Sequence, residues 1–309
     1  MSSRLLLTVI ASASLLAACG KEGDKPAPEA SAGEAAKPPE QPRDPDASVD
    51  KVVTAVDITG PVPPEISATF FILDGALVPL GCFDKAKNKL AAGKDCLSLT
   101  PPGAEVYLKS AHSAQVDAIG APKRALCEIG DGEPTSLASP LVDSGAVFDW
   151  ATSPKSAAQK VLSVSPDTWG NAPSASDEER AAVQAAAAAV DKQVGANKAE
   201  LHQAASIDLD GDGKDERVFS AYVVNPRDTA RYLFSGIFVA RGSDPTKLLL
   251  VEQTRTNSEV FKLRAAADLN GDGVHELWIN AAFDEGGGDR MYQWKGDKFE
   301  PLGKWTCGM

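Results

Sequence analysis

Two short stretches of this 309-residue chain carry side chains spaced to do chemistry. In IDLDGDGKDERVF, starting at Ile207, the carboxylates Asp208, Asp210 and Asp212 alternate with apolar or glycine positions, and Glu216 follows before an apolar run begins. ADLNGDGVHELWI, starting at Ala267, repeats the arrangement with Asp268, Asn270, Asp272 and Glu276. Alternating carboxylates separated by glycines suit one task, which is to bend a short backbone around a hard cation so that oxygens converge at roughly 2.3 to 2.6 Å. Without an ion the like charges repel. Gly213 and Gly273 hold the sixth position of each stretch, where a sharp bend is needed, and Gly211 and Gly271 loosen the turn before it.

The later positions separate two kinds of cation loop. An EF-hand places a bidentate acid at position twelve and flanks the loop with helices. Here position twelve is Phe219 or Ile279, and apolar strand-like sequence follows. The acid falls at position nine, as Glu216 and Glu276. A loop that closes there and runs straight into a strand resembles the calcium loops of FG-GAP and VCBS repeats, known from integrin-type propellers and bacterial surface proteins. The resemblance spans the chain from Leu201 onward. It implies two structural Ca2+ sites. In the first, Asp208, Asp210, Asp212 and Glu216 are side-chain ligands and Lys214 offers its carbonyl; in the second, Asp268, Asn270, Asp272 and Glu276 serve with the carbonyl of Val274. The first loop carries more negative charge and is expected to bind more tightly. Asp215 and His275, at position eight, are expected to face solvent.

The elements that must hold these loops form an internal repeat. A shift of 60 residues superposes six of nine loop positions, and it continues without a gap to place Tyr232 on Tyr292, Phe234 on Trp294 and Gly236 on Gly296. Each copy reads as four short antiparallel strands: HQAASI, ERVFSAYVV, RYLFSGIFVA and KLLLVEQT, then FKLRAAA, ELWINAAF, RMYQWKG and KFEPLGKW. That is the pattern of a propeller blade, although propellers have about four blades or more and only two repeats are visible. The expectation is therefore that residues 199–309 form two blade-like repeats packed on the rest of the chain.

Before the repeats, residues 51–165 alternate β-like runs (VVTAVDI, ISATFFI, ALVPLGC, AEVYLKS, KRALCEI, AVFDW) with turn signals, which predicts an N-terminal antiparallel β domain. DKAKNKLAAG predicts one short helix ending at Gly93. Residues 166–198 read as a linker and an Ala-rich helix, DEERAAVQAAAAAVDKQVG, with Ser176 and Glu179 at capping-box spacing and Gly195 as the stop. Its stripe of Val183, Ala187, Val190 and Val194 suits packing on a sheet. The fold class is mainly β.

The N-terminus begins MSSRLLLTVIASASLLAACG, a basic start, an apolar core and small residues, which reads as an export signal over residues 1–18. Its apolar part is shorter than the about 20 residues of a bilayer span. Leu16, Ala17, Ala18 and Cys19 resemble the lipobox of bacterial lipoproteins, which implies acylation of Cys19, and Gly20 after it implies the outer membrane. Residues 19–50, rich in Pro, Ala and Glu, read as a disordered tether reaching on the order of 30 Å. Export also implies disulfides. Cys82, Cys96, Cys127 and Cys307 allow three connectivities; Cys82 with Cys96 is the favoured local pair, a loop worth ~3 kcal/mol, leaving Cys127 for Cys307.

A net charge of -12 and the lack of a basic stripe argue against nucleic acid. No CxxC is present and only three histidines are, so a zinc site is disfavoured. HELWI lacks the second histidine of a zinc-protease motif, and DEGGGDR lacks the Lys-Ser/Thr ending of a phosphate loop and reads as a hairpin turn. Trp278, Tyr292, Trp294 and Trp305 suit a core better than a sugar site. No catalytic set is visible. The sequence thus describes a lipid-anchored envelope protein, not an enzyme, that binds a protein or a glycan as a binding or adhesion module. The alternatives are a scaffold component of an envelope assembly and a carboxylate-dependent hydrolase of an envelope polymer, its site at the junction of the two domains.

Overall fold

The structure, a computed structural model, describes residues 67–73, 76–122, 135–137, 148–164, 174–240, 242, 244, 246–255, 258–283 and 286–308. The export signal, Cys19, the tether, Cys127 and the runs VVTAVDI and KRALCEI lie outside the described residues. The described chain is mainly β and forms three antiparallel sheets.

The first sheet contains β1 (Ala68–Leu73), β2 (Leu77–Asp84), β3 (Lys89–Ala91), β4 (Glu105–Lys109), β5 (Ala114–Pro122), β6 (Thr135–Leu137) and β7 (Trp150–Ser153). Its order is β1-β7-β4-β5-β6-β2-β3, and β1 also pairs with β2. DKAKNKLAAG is not a helix. Asp84 caps a 3-10 turn, Lys85–Lys87, which ends at Asn88 in the left-handed region (φ 47), and β3 follows. Gly93, expected as a helix stop, instead precedes the one-turn helix α1 (Lys94–Leu97). That turn places Cys96 against Cys82, and the two form the expected disulfide.

The two repeats have the expected four-strand order and their first two strands coincide at the 60-residue shift, but the correspondence does not continue without a gap. Tyr232, Phe234 and Gly236 lie at the start of the strand Tyr232–Ala240, whereas Tyr292 and Trp294 end the strand Gly286–Trp294 and Gly296 follows it. β9 (Glu200–Ile207), β10 (Glu216–Val224), β11 (Tyr232–Ala240) and β12 (Leu248–Thr254) form a four-stranded meander. β13 (Val260–Ala267), β14 (Glu276–Phe283), β15 (Gly286–Trp294) and β16 (Phe299–Gly308) form the second. β14 and β15 pair from Phe283 and Gly286 onward, so the described part of DEGGGDR, Gly286 to Arg290, is strand and not the expected turn. The second meander has a fifth strand. β8 (Val161–Ser163), which follows a 3-10 turn at Lys155–Lys160, pairs with β13 through Ser163 on Ala265, Leu162 on Ala266 and Val161 on Ala267. Residues from Val52 to Met309 cluster as one compact unit.

Within that unit the apolar side chains explain a layered packing. Phe219, Phe234 and Phe238 of the first repeat are buried under Val183, Ala187 and Val194 of the helical segment. The opposite face of the same sheet, with Val218, Ile237 and Val239, packs on Phe261, Leu277, Ile279 and Tyr292 of the second repeat. The far face of the second repeat, with Trp278, Met291 and Trp305, packs on Phe70, Leu80 and Trp150 of the first sheet. Trp278 and Phe70 approach to a ring separation of 5.3 Å. A sheet covered on both faces cannot alternate apolar with polar residues, and β11 accordingly is buried at eight successive positions. Two meanders are thus sandwiched between a helix and another sheet; the described residues show no ring of blades.

The helix is shorter than its sequence pattern predicts. α2 (Asp177–Val190) opens with the expected capping box, Glu179 N–H to Ser176 Oγ at 3.1 Å and Ser176 N–H to Glu179 Oε2 at 2.7 Å. It stops at Asp191, which turns extended (φ -162, ψ 143), caps Gln193 N–H at 2.6 Å and pairs with Arg255 at 2.8 Å. A single turn, α3 (Lys192–Gly195), follows. The partner for Asp191 comes from distant sequence, so the break has no local signal beyond the aspartate itself.

Candidate metal centre

Each acidic loop connects the first two strands of its repeat, β9 to β10 and β13 to β14, so strand pairing fixes both ends of the loop. A buried leucine, Leu209 or Leu269, anchors the second loop position. Its N–H donates to the glutamate at position nine, Leu209 to Glu216 Oε2 at 2.7 Å and Leu269 to Glu276 Oε2 at 3.0 Å. The position-nine glutamate thus closes the loop on itself. Gly211, Gly213, Gly271 and Gly273 have φ between 70 and 87, a left-handed region that other residues enter at a cost.

In the first loop Asp208, Asp210 and Glu216 each place a carboxylate oxygen within 4.8 Å of the others. Asp208 Oδ2 accepts from Gly213 N–H at 3.0 Å, while its Oδ1 is buried and receives no hydrogen bond. A buried carboxylate oxygen without a donor is costly, and a divalent cation between these three acids would satisfy it. The first loop therefore fits an oxygen-coordinated ion. Asp212 is exposed, accepts from Lys214 N–H at 2.8 Å and pairs with Lys214 Nζ at 3.4 Å. Asp215 is exposed.

The second loop is arranged differently. Asp268 Oδ1 accepts from Gly271 N–H at 2.7 Å, and its Oδ2 takes Gly273 N–H at 3.3 Å and the Lys160 ammonium at 2.7 Å. Asn270 and Asp272 bond to each other, Nδ2 to Oδ2 at 2.9 Å and Asp272 N–H to Asn270 Oδ1 at 3.0 Å. Val274 N–H donates to Asp272 Oδ1 at 2.8 Å. Glu276 is buried, and burial pushes its carboxyl up to about 8, with Asp272 and Asp268 adding to the shift.

The loops lie side by side. His275 N–H donates to the Leu209 carbonyl at 2.8 Å, and its Nδ1 lies 3.1 Å from the same oxygen. His275 is half-buried against the first loop rather than fully exposed. A Cβ at Gly211 would sit 3.2 Å from the Gly273 carbonyl oxygen, a second reason for glycine there. Motif spacing places His275 within the second loop but gives no sign of its contact with the first, and it does not mark Lys160 at all. Lys160 precedes Asp268 by 108 residues, and no sequence pattern links them.

Away from the loops, a cleft of about 560 Å³ opens where the first sheet, β8 and the second repeat meet. Lys109, Lys262 and Arg264 line it with Asp149, Asp289 and Trp278. Asp289 is buried and accepts from Trp278 Nε1 at 2.7 Å and Asn280 Nδ2 at 3.3 Å, whereas Asp149 is exposed. Trp278, Tyr292 and Trp305 are buried in the core as expected, and Trp294 is half-buried at its edge. No helix among the described residues is long and apolar enough to cross a membrane.

No protein-family model, curated protein or solved structure matches the chain.

Proposed function

We propose that the chain is a lipid-anchored envelope lipoprotein whose β-rich body is a non-catalytic binding module stabilised by calcium. The observation that carries the calcium part is the orphaned, buried Asp208 Oδ1 in a ring with Asp210 and Glu216. Calcium there is structural. It neutralises a loop that fixes how β9 and β10 enter their sheet, on the FG-GAP-like plan that the loop sequence suggests. The lipobox at Cys19 supports the anchor, in the outer membrane, and the cleft supports the binding role. Three cations converge at the cleft on a chain of net charge -12, which suits a protein or glycan presenting acidic groups. Pull-down from detergent-solubilised membranes, with and without chelator, tests this. Recovery of a foreign-surface partner supports adhesion, an envelope partner supports a scaffold role, and recovery of none overturns the binding reading.

A second reading has one observation in its favour. Asp149 and Asp289 both line the junction cleft, as a carboxylate-dependent hydrolase of an envelope polymer requires. Release of soluble fragments from purified cell-wall polymer by the wild type, lost in Asp289→Asn, would replace the binding reading with this one.

A further inference from the structure

We propose that Lys160 is the resident cation of the second loop and keeps calcium out of it, so that the chain has a single calcium site, in the first loop. This rests on the calcium reading of the first loop and removes half of what the sequence repeat implies. The contrast lies in one pair of equivalent residues. Asp208 has one oxygen bonded and one buried without a donor. Asp268 has both oxygens engaged, Oδ1 by Gly271 N–H and Oδ2 by Gly273 N–H and the Lys160 ammonium. The side chain of Asp268 is 1% exposed and that of Lys160 33%, so water screens the pair little. A divalent ion entering this loop would meet a positive charge 2.7 Å from the first ligand it needs.

The asymmetry comes from the added strand. β8 pairs with β13 as far as Val161 on Ala267, and one step further Asp268 N–H donates to the Lys160 carbonyl at 3.0 Å. That register delivers the lysine to the mouth of the loop. The first meander ends at β9 and has no such strand among the described residues. Asn270 in place of a third aspartate fits the same account, because a loop already holding an ammonium needs less negative charge.

Calorimetric titration of the full chain in detergent with CaCl₂, after chelator treatment, reads the number of ions bound. One ion is expected for the wild type, two for Lys160→Met, one for Lys160→Arg, and none for Asp208→Asn. Asp268→Asn is expected to leave the count at one, which tests the inference even if Lys160→Met fails to fold by circular dichroism. Two ions on the wild type, or a count that falls with Asp268→Asn, would overturn it, as would a folded Lys160→Met that still binds one. The first-loop reading fails separately: a wild type that binds none refutes it, and Lys160→Met gaining one ion would then still support the role of the lysine, while no gain would refute that too.

Discussion

Gln203 hydrogen-bonds at two points to the backbone of Leu263, the residue that holds its own place in the second repeat. Its Nε2 donates to the Leu263 carbonyl at 3.0 Å, and Leu263 N–H donates to its Oε1 at 2.8 Å. The pairing of β13 with β14 shifts register between Leu263 and Ala265, and the fully buried Gln203 side chain supplies the partners at that irregularity. Ser220 Oγ donates to the Phe261 carbonyl nearby. The two repeats are therefore stitched by polar bonds inside an otherwise apolar interface.

Gln203→Met keeps most of the volume and removes both bonds. Two buried backbone groups lose their partners, at about 1 to 3 kcal/mol each. Urea denaturation followed by tryptophan fluorescence should show a loss of about 2 to 6 kcal/mol. An unchanged midpoint would mean that water or a shifted β13 replaces the amide.

The seam between the first sheet and the second repeat is set by close backbone approach. A methyl on Gly303 in β16 would run into the Leu80 carbonyl oxygen of β2, and one on Gly81 would meet the Met291 sulfur. Overpacking of a filled interface costs roughly 1 to 3 kcal/mol or more, and at Gly303 the obstacle is backbone. Gly303→Ala should lower the melting temperature strongly, while Gly242→Ala, in open space at φ 74, should cost about 1 kcal/mol. Equal effects at both positions would refute the tight seam.

The helix is tied to the first repeat by charge. Arg217 Nε donates to Glu179 Oε1 at 2.7 Å, and the same guanidinium reaches the Ser174 carbonyl and Ser206. The hydrogen bond from Arg217 holds the Glu179 carboxyl below its ordinary value, against the opposing effect of burial. A carboxylate with a lowered folded pKa stabilises fully above its unfolded pKa of about 4.3, and that contribution is lost as pH falls through the folded value. The melting-temperature gap between wild type and Arg217→Met should therefore be larger at pH 7 than at pH 3. A gap that stays constant would assign the role of Arg217 to packing on Phe219, which its guanidinium overlies at 5.4 Å.

Calcium should raise the melting temperature of the chelator-treated protein. At a hundredfold excess over Kd a ligand specific for the folded state adds about 2.7 kcal/mol. Asp208→Asn and Glu216→Gln should each abolish the shift, because both belong to the carboxylate ring. Asp215→Asn, exposed and outside that ring, should leave it intact. A shift that survives Asp208→Asn would place the ion elsewhere.

The strands of the repeats could be read from the sequence because a short range decides them: apolar runs bounded by glycine-rich loops, twice, at one spacing. ERVFSAYVV and ELWINAAF coincide with β10 and β14 residue for residue. The loops could be read for the same reason. What stayed hidden depends on partners far along the chain. β8 is three residues, VLS, with no period to detect, and it becomes a strand only because β13 offers an edge. DKAKNKLAAG has helical composition, yet Asn88 in the left-handed region and the pairing of β3 with β2 override it. His275 and Lys160 act through positions that only the stacking of one sheet on another brings together.

β8 leaves one sheet's neighbourhood to finish another's. A fragment cut just after it, starting at the linker, would carry β13 with a bare row of amides and carbonyls, and bare edges recruit strands. Such a piece is a poor candidate for transplantation into another protein: in isolation it should self-associate, and adding back a peptide spanning residues 155–164 should return it to single copies.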